Sequence, residues 1–167
     1  MALTFTDEEL KALYKLSKEA QEQAPDSEEE TYNDYYDEYE TPISKKTLRA
    51  ILRKVGEELP PEEREEMEKE SLRRKYHTYN NTIDQGVYTR LRKALERLRA
   101  VEISYFSMES AEFTKRRVDV YYTSSRYTIG YCHLRKAMRK FRTSRIASAK
   151  ILDKRYKIPK NFDKNGY

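Results

Sequence analysis

The chain has 167 residues, 38% of them charged, with one cysteine and two histidines. That length suits one domain with a packed core, or a small barrel with a helical layer. No apolar run reaches the roughly 18 residues of a membrane span, there is no signal-like N-terminus, and Cys132 is alone, so the composition points to a soluble cytoplasmic protein without disulfides.

Charge is unevenly distributed: residues 1–42 balance to −10, residues 43–99 to +5 and residues 100–167 to +10. A basic C-terminal half behind an acidic start suggests either a polyanionic partner for the basic end or mutual contact of the two ends.

In chain order, Phe5-Thr6-Asp7-Glu8-Glu9-Leu10 marks a helix start. Thr6 can cap, Glu9 can reach back to it, and Phe5 can staple onto Leu10. Leu10, Leu13, Ser17 and Ala20 give one narrow apolar face, predicting a peripheral helix to about Glu22. Residues 25–40 hold no basic residue; Asp26–Glu40 carries eight carboxylates and four tyrosines. Such a stretch reads as a solvated loop, or as a segment that imitates phosphates and bases and lies across a basic site.

Thr41-Pro42 reads as a cap with proline at the first helical position. Leu48, Ile51, Leu52, Val55 and Leu59 then recur at helical spacing until Pro60-Pro61. Glu62–Tyr76 is charged nearly all round and suits a short exposed helix. Thr82 and Gln85 read as the next capping pair, followed by an amphipathic stripe of Ile83, Val87, Leu91, Ala94, Leu95 and Leu98. After Arg99 the period shortens to 2, through Val101, Ile103 and Tyr105, then Val118, Val120 and Tyr122. Runs at Arg126–His133, Met138–Arg145 and Ile146–Leu152 complete five short strands. The expected fold is α+β, with N-terminal helices packed on a small, strongly bent five-stranded antiparallel barrel. The expected divisions are a helical region over 1–81, a helix-plus-barrel domain over 82–158 and a tail over 159–167.

The informative stretch runs from Arg126 to Arg145. It reads as a strand, a turn after His133 and a returning strand carrying Arg135, Lys136, Arg139, Lys140, Arg142 and Arg145, and no carboxylate lies between Val120 and Asp153. Guanidinium forks beside tyrosine faces suit phosphates and bases. Tyr131, near the strand end, reads as a stacking residue and His133 as a phosphate donor. Tyr127 reads equally as core or ligand contact, His77 as exposed, and Cys132 as a small buried hydrophobe.

Val120-Tyr121, Arg126 through His133, and Arg139-Lys140-Phe141-Arg142-Thr143-Ser144-Arg145-Ile146 resemble the core of the WYL domain, usually written V-x-Y, W-Y-L-V-G-Y-C and R-x-F-R-x-x-R-I. The naming triplet stands here as Arg126, Tyr127 and Thr128, so the resemblance rests on Gly130-Tyr131-Cys132 and the Arg-Phe-Arg strand. Ala94–Ser107 is similar to the family's helix-into-first-strand segment and adds Tyr105 and Ser107 to Arg126, Tyr131, His133, Arg135, Arg139, Arg142 and Arg145 as candidate ligand-binding residues. The resemblance implies an Sm/SH3-like barrel. It also implies the ligand-sensing part of a transcriptional regulator, or an accessory protein, that binds single-stranded DNA, RNA or a nucleotide. The family's usual winged helix-turn-helix and trailing domain are not visible in this sequence.

Enzymatic readings fare poorly. Two histidines and one cysteine do not make a usual zinc site, the carboxylates of the basic half are scattered, and no glycine-rich phosphate loop or nucleophile elbow occurs. No cofactor, catalytic group or metal is expected. The alternative to the sensor is a protein-interaction or homodimerisation module whose basic barrel docks an acidic segment, such as Asp26–Glu40 of a second copy.

Overall fold

A computed structural model describes residues 4–24, 43–77 and 82–167. The acidic tyrosine-rich segment over 25–40 and the cap expected at Thr41-Pro42 lie outside the described residues. The chain divides into two compact units, Met1–Glu68 and Lys69–Tyr167.

The first unit holds α1 (Asp7–Gln23), α2 (Lys45–Glu58) and the start of α3 (Pro61–Lys75). The capping box of α1 forms: Thr6 Oγ1 accepts from Glu9 N at 3.3 Å, and Thr6 N donates to Glu9 Oε2 at 2.7 Å. The donation from Thr6 N, and then that from the Thr6 hydroxyl to the same Oε2 at 2.9 Å, hold the Glu9 carboxyl below the usual carboxylate range. For α2 the cap is Ser44, whose hydroxyl accepts from Thr47 N at 3.2 Å. Leu10, Tyr14 and Leu59 form a small core with Leu52, Val55 and Met67 against it. The Tyr14 hydroxyl donates to Glu68 Oε1 at 2.9 Å.

In the second unit, α4 (Gln85–Glu96) is capped by Asp84, which accepts from Val87 N at 2.9 Å, and not by Thr82. Val87, Leu91 and Ala94 of α4 meet Val101, Ile103, Val118, Val120, Cys132, Phe141, Ile146 and Ala149 in the main core. The strands are β1 (Arg99–Ser107), β2 (Glu112–Thr123), β3 (Tyr127–Cys132), β4 (Ala137–Arg142) and β5 (Ile146–Arg155), with a 3-10 turn over Thr143–Arg145. At the β1 end, Phe106 is fully buried because Tyr76, at the end of α3, stacks on it at 4.7 Å.

The sheet is antiparallel and open, in the order β4-β3-β2-β1-β5. The strongly bent Sm/SH3-like barrel expected from the strand count is therefore not formed. Closure would need a ladder between β4 and β5. These strands follow each other through the 3-10 turn, yet β4 pairs with β3 alone and β5 with β1 alone among the described residues. Exposed charges blunt both open edges, Arg139 and Lys140 on β4 and Lys150 on β5. Residues 156–167 contact the sheet too: the Tyr156 hydroxyl donates to the Val120 carbonyl, and the Phe162 ring lies 5.3 Å from that of Tyr121.

Candidate functional site

The β3–β4 hairpin forms, with turn residues 133–136 between strands, but its returning strand ends at Arg142, so Arg145, expected on it, lies in the 3-10 turn instead. Its register pairs Tyr127 with Arg142, Thr128 with Phe141, Ile129 with Lys140, Gly130 with Arg139, Tyr131 with Met138 and Cys132 with Ala137. Alternation then assigns the side chains to two faces. Thr128, Cys132 and Phe141 point to the core, so Arg139 belongs to that face and emerges exposed beyond it. Tyr127, Tyr131, Lys140 and Arg142 belong to the opposite face. The expected candidates are thereby divided between two surfaces.

On the outer face, Tyr127 is the centre of a cationic cluster. Lys140 Nζ lies 4.7 Å from its ring centroid, and the Arg126 and Arg142 guanidinium carbons lie 5.5 Å from it. Each such contact is worth about 0.5–1 kcal/mol at an exposed site. Three like charges around one ring also repel, and an anion among them would relieve that repulsion. Neither Arg126 nor Lys140 forms an ion pair among the described residues; Lys140 Nζ donates to the Tyr167 carbonyl at 2.6 Å.

On the core side, a second aromatic and cationic group forms around Tyr105. Its ring meets Phe141 edge-on at 5.1 Å, and its hydroxyl accepts from Arg142 N at 3.4 Å. The Arg116 guanidinium lies 5.3 Å from the Tyr105 ring and 5.8 Å from that of Phe141, while its Nε donates to Thr114 Oγ1 at 2.9 Å. Arg116 carried no distinguishing signal in sequence, because strand register alone sets it opposite Ile103.

His133 is engaged on both ring nitrogens. Nδ1 is 2.5 Å from Arg117 Nη2 and Nε2 is 2.9 Å from Asp119 Oδ2. A guanidinium only donates, so Nδ1 accepts, and the neutral Nε2–H tautomer donates to Asp119. The Tyr131 ring stands edge-on to His133 at 5.2 Å and opposite Asp119 in the ladder. Tyr121, on the same strand as Asp119, has its phenol pushed up by burial, then by the charge of Asp119 and by Tyr131.

The remaining candidates lie apart. Arg135 is exposed in the turn beside Lys136, whose φ of 50° places it in the left-handed region. Arg145 Nε donates to the Tyr76 carbonyl at 3.3 Å. Ser107 ends β1 opposite Glu112. Lys140 and Tyr127, absent from the candidate set, are the pair that the register brings to Arg126 and Arg142. A four-residue turn fixes that register, which was the available signal.

Residues 86–151 match the WYL domain family. Over that span, 66 of its 167 residues, the chain is similar to WYL domains. WYL domains are non-catalytic regulatory and sensor modules, consistent with a chain that is not an enzyme. Among solved structures, the chain is similar to proteasome accessory factor B/C (PafBC) of Arthrobacter aurescens, at 19% identity and a TM-score of 0.36. That likeness covers 92% of this chain, which spans 21% of the other. No curated protein matches the chain. No helix among the described residues is long and apolar enough to cross a membrane, and none of their acidic, histidine or cysteine side chains cluster as metal ligands would.

Proposed function

We propose that this WYL domain is the ligand-sensing part of a cytoplasmic transcriptional regulator or accessory protein. Its ligand is single-stranded nucleic acid or a nucleotide, held by the β3–β4 hairpin. The supporting observation is the Tyr127 ring with Lys140, Arg126 and Arg142 around it, in a stretch of 33 residues without a carboxylate. Phosphates sit among the cations, and the flat ring and the guanidinium planes offer stacking surfaces. Arg135 and Arg139 extend the positive field along the hairpin, while Tyr131 and His133 flank it. In this reading the helical region over 1–81 precedes a WYL unit over 82–158 and a tail over 159–167.

Fluorescence anisotropy of a labelled oligothymidylate tests the proposal. Saturable binding that weakens in Arg126→Gln and Lys140→Gln supports it. Absence of binding combined with concentration-dependent dimerisation would favour an interaction module instead.

A further inference from the structure

The helices of the first unit line an open basic concavity of about 410 Å³, within the size range of small-ligand sites. Its floor is Tyr14 of α1, only 5% exposed, with Leu52 and Gly56 of α2. A Cβ at Gly56 would come within 3.2 Å of Tyr14 Cε2 and 3.3 Å of Arg64 Cδ, so the missing side chain is what lets the ring and the arginine stem close in.

Cations reach this cleft from three helices: Lys18 from α1, Arg49 and Arg53 from α2, and Arg64 from α3. Both lining carboxylates are engaged. Glu68 accepts from the Tyr14 hydroxyl at 2.9 Å, and Glu57 accepts from Arg53 at 3.2 Å. Arg64 Nη1 donates to the Gly56 carbonyl at 3.2 Å, which anchors that guanidinium at the rim. Lys18 and Arg49 have no acidic partner among the described residues, and Arg49 lies one helical turn before Arg53 on the same side of α2. Four cations against two carboxylates leave an excess of two positive charges beside the half-buried Leu52.

We propose that this cleft binds a small organic diphosphate, its phosphates between Lys18 and Arg49 and its organic part over Tyr14 and Leu52. Guanidinium forks match phosphate oxygens in pairs, and cations on separate helices can hold two adjoining phosphates better than one carboxylate. The cleft is independent of the hairpin proposed above, lying wholly within residues 1–68.

The test is calorimetric titration of the full chain with adenosine 5′-diphosphate and, separately, inorganic pyrophosphate. The Lys18→Gln/Arg49→Gln double variant should weaken adenosine diphosphate at least about tenfold with unchanged helical circular dichroism. Arg126→Gln/Lys140→Gln should leave that affinity within about twofold. Pyrophosphate should bind more weakly, since it lacks the part that covers the floor. The proposal is overturned if neither compound binds at millimolar concentration, or if binding survives in the cleft variant and disappears in the hairpin variant.

Discussion

Gly130 of β3 lies so close to the backbone of Asp119 on β2 that a Cβ at residue 130 would stand 2.2 Å from the Asp119 carbonyl oxygen. Val118 Cγ1 would be 2.9 Å away. The glycine has no positive φ, so the requirement is for space and not for an unusual backbone angle. The approach occurs beside the irregularity between Val120 and Tyr122, where β2 bends against β3. Gly130→Ala should destabilise the second unit by about 3 kcal/mol, at the upper end of overpacking costs, because backbone cannot yield as a side chain can. Urea unfolding measures this, and an unchanged midpoint would contradict the packing account.

Tyr127 and Tyr131 should behave differently. Tyr127→Ala removes the ring that gathers three cations and should cost roughly 1–3 kcal/mol of oligonucleotide binding. Tyr131→Ala removes an edge contact to His133 and should cost less binding. Anisotropy titrations on both variants decide the order; equal losses would argue for one surface spanning both rings.

His133 is predicted to matter more for stability than for affinity. Replacing it by Ala removes the acceptor for Arg117 and the donor to Asp119. Arg117 Nε is already buried without a partner, so the strand loses one of the few bonds that satisfy this guanidinium. The expected destabilisation is about 1–3 kcal/mol, with oligonucleotide affinity changed less than about threefold. The reverse pattern, intact stability and lost binding, would make His133 a ligand contact.

Tyr14 predicts an alkaline weakness in the first unit. Burial first, and then its bond to Glu68, push its phenol from 10.0 up to about 12. The folded state thus keeps a proton that the unfolded state has released. The stabilisation is complete below about pH 10 and disappears as pH rises toward 12, a loss on the order of 2–3 kcal/mol. Tyr14→Phe should remove that alkaline slope, which thermal unfolding followed by helical circular dichroism between pH 9 and 12 would detect. An identical slope in the variant would assign the loss to other groups.

Local chemistry was legible where it stood alone. Thr6 and Glu9 stood at box spacing beside the staple pair Phe5 and Leu10, which set Thr6 ahead of Thr4, and the basic hairpin was bounded by an acid-free run and an obvious turn. At α4, Thr82 and Asp84 were both chemically able to cap, and only the bond from Val87 N decides for Asp84. Five strands of period 2 suit an open sheet as well as a closed one, so alternation could not reveal that β4 and β5 stay unpaired. The site was half legible: alternation alone sets Arg139 and Arg142 on opposite faces, and only register shows that Arg142 is the one opposite Tyr127. Phe106 falls outside the alternation of Val101, Ile103 and Tyr105, and the stacked Tyr76 from a remote part of the sequence explains its burial.

The salt dependence of oligonucleotide binding tests the central claim most directly. If three or four hairpin cations neutralise phosphates, the slope of log affinity against log salt should be about −2 to −3, from roughly −0.7 per phosphate on single strands. Arg126→Gln/Lys140→Gln should reduce its magnitude by about 1.4. A slope near zero in the native chain, or a slope that the double variant leaves unchanged, would contradict the assignment of the Tyr127 cluster as the phosphate-binding surface.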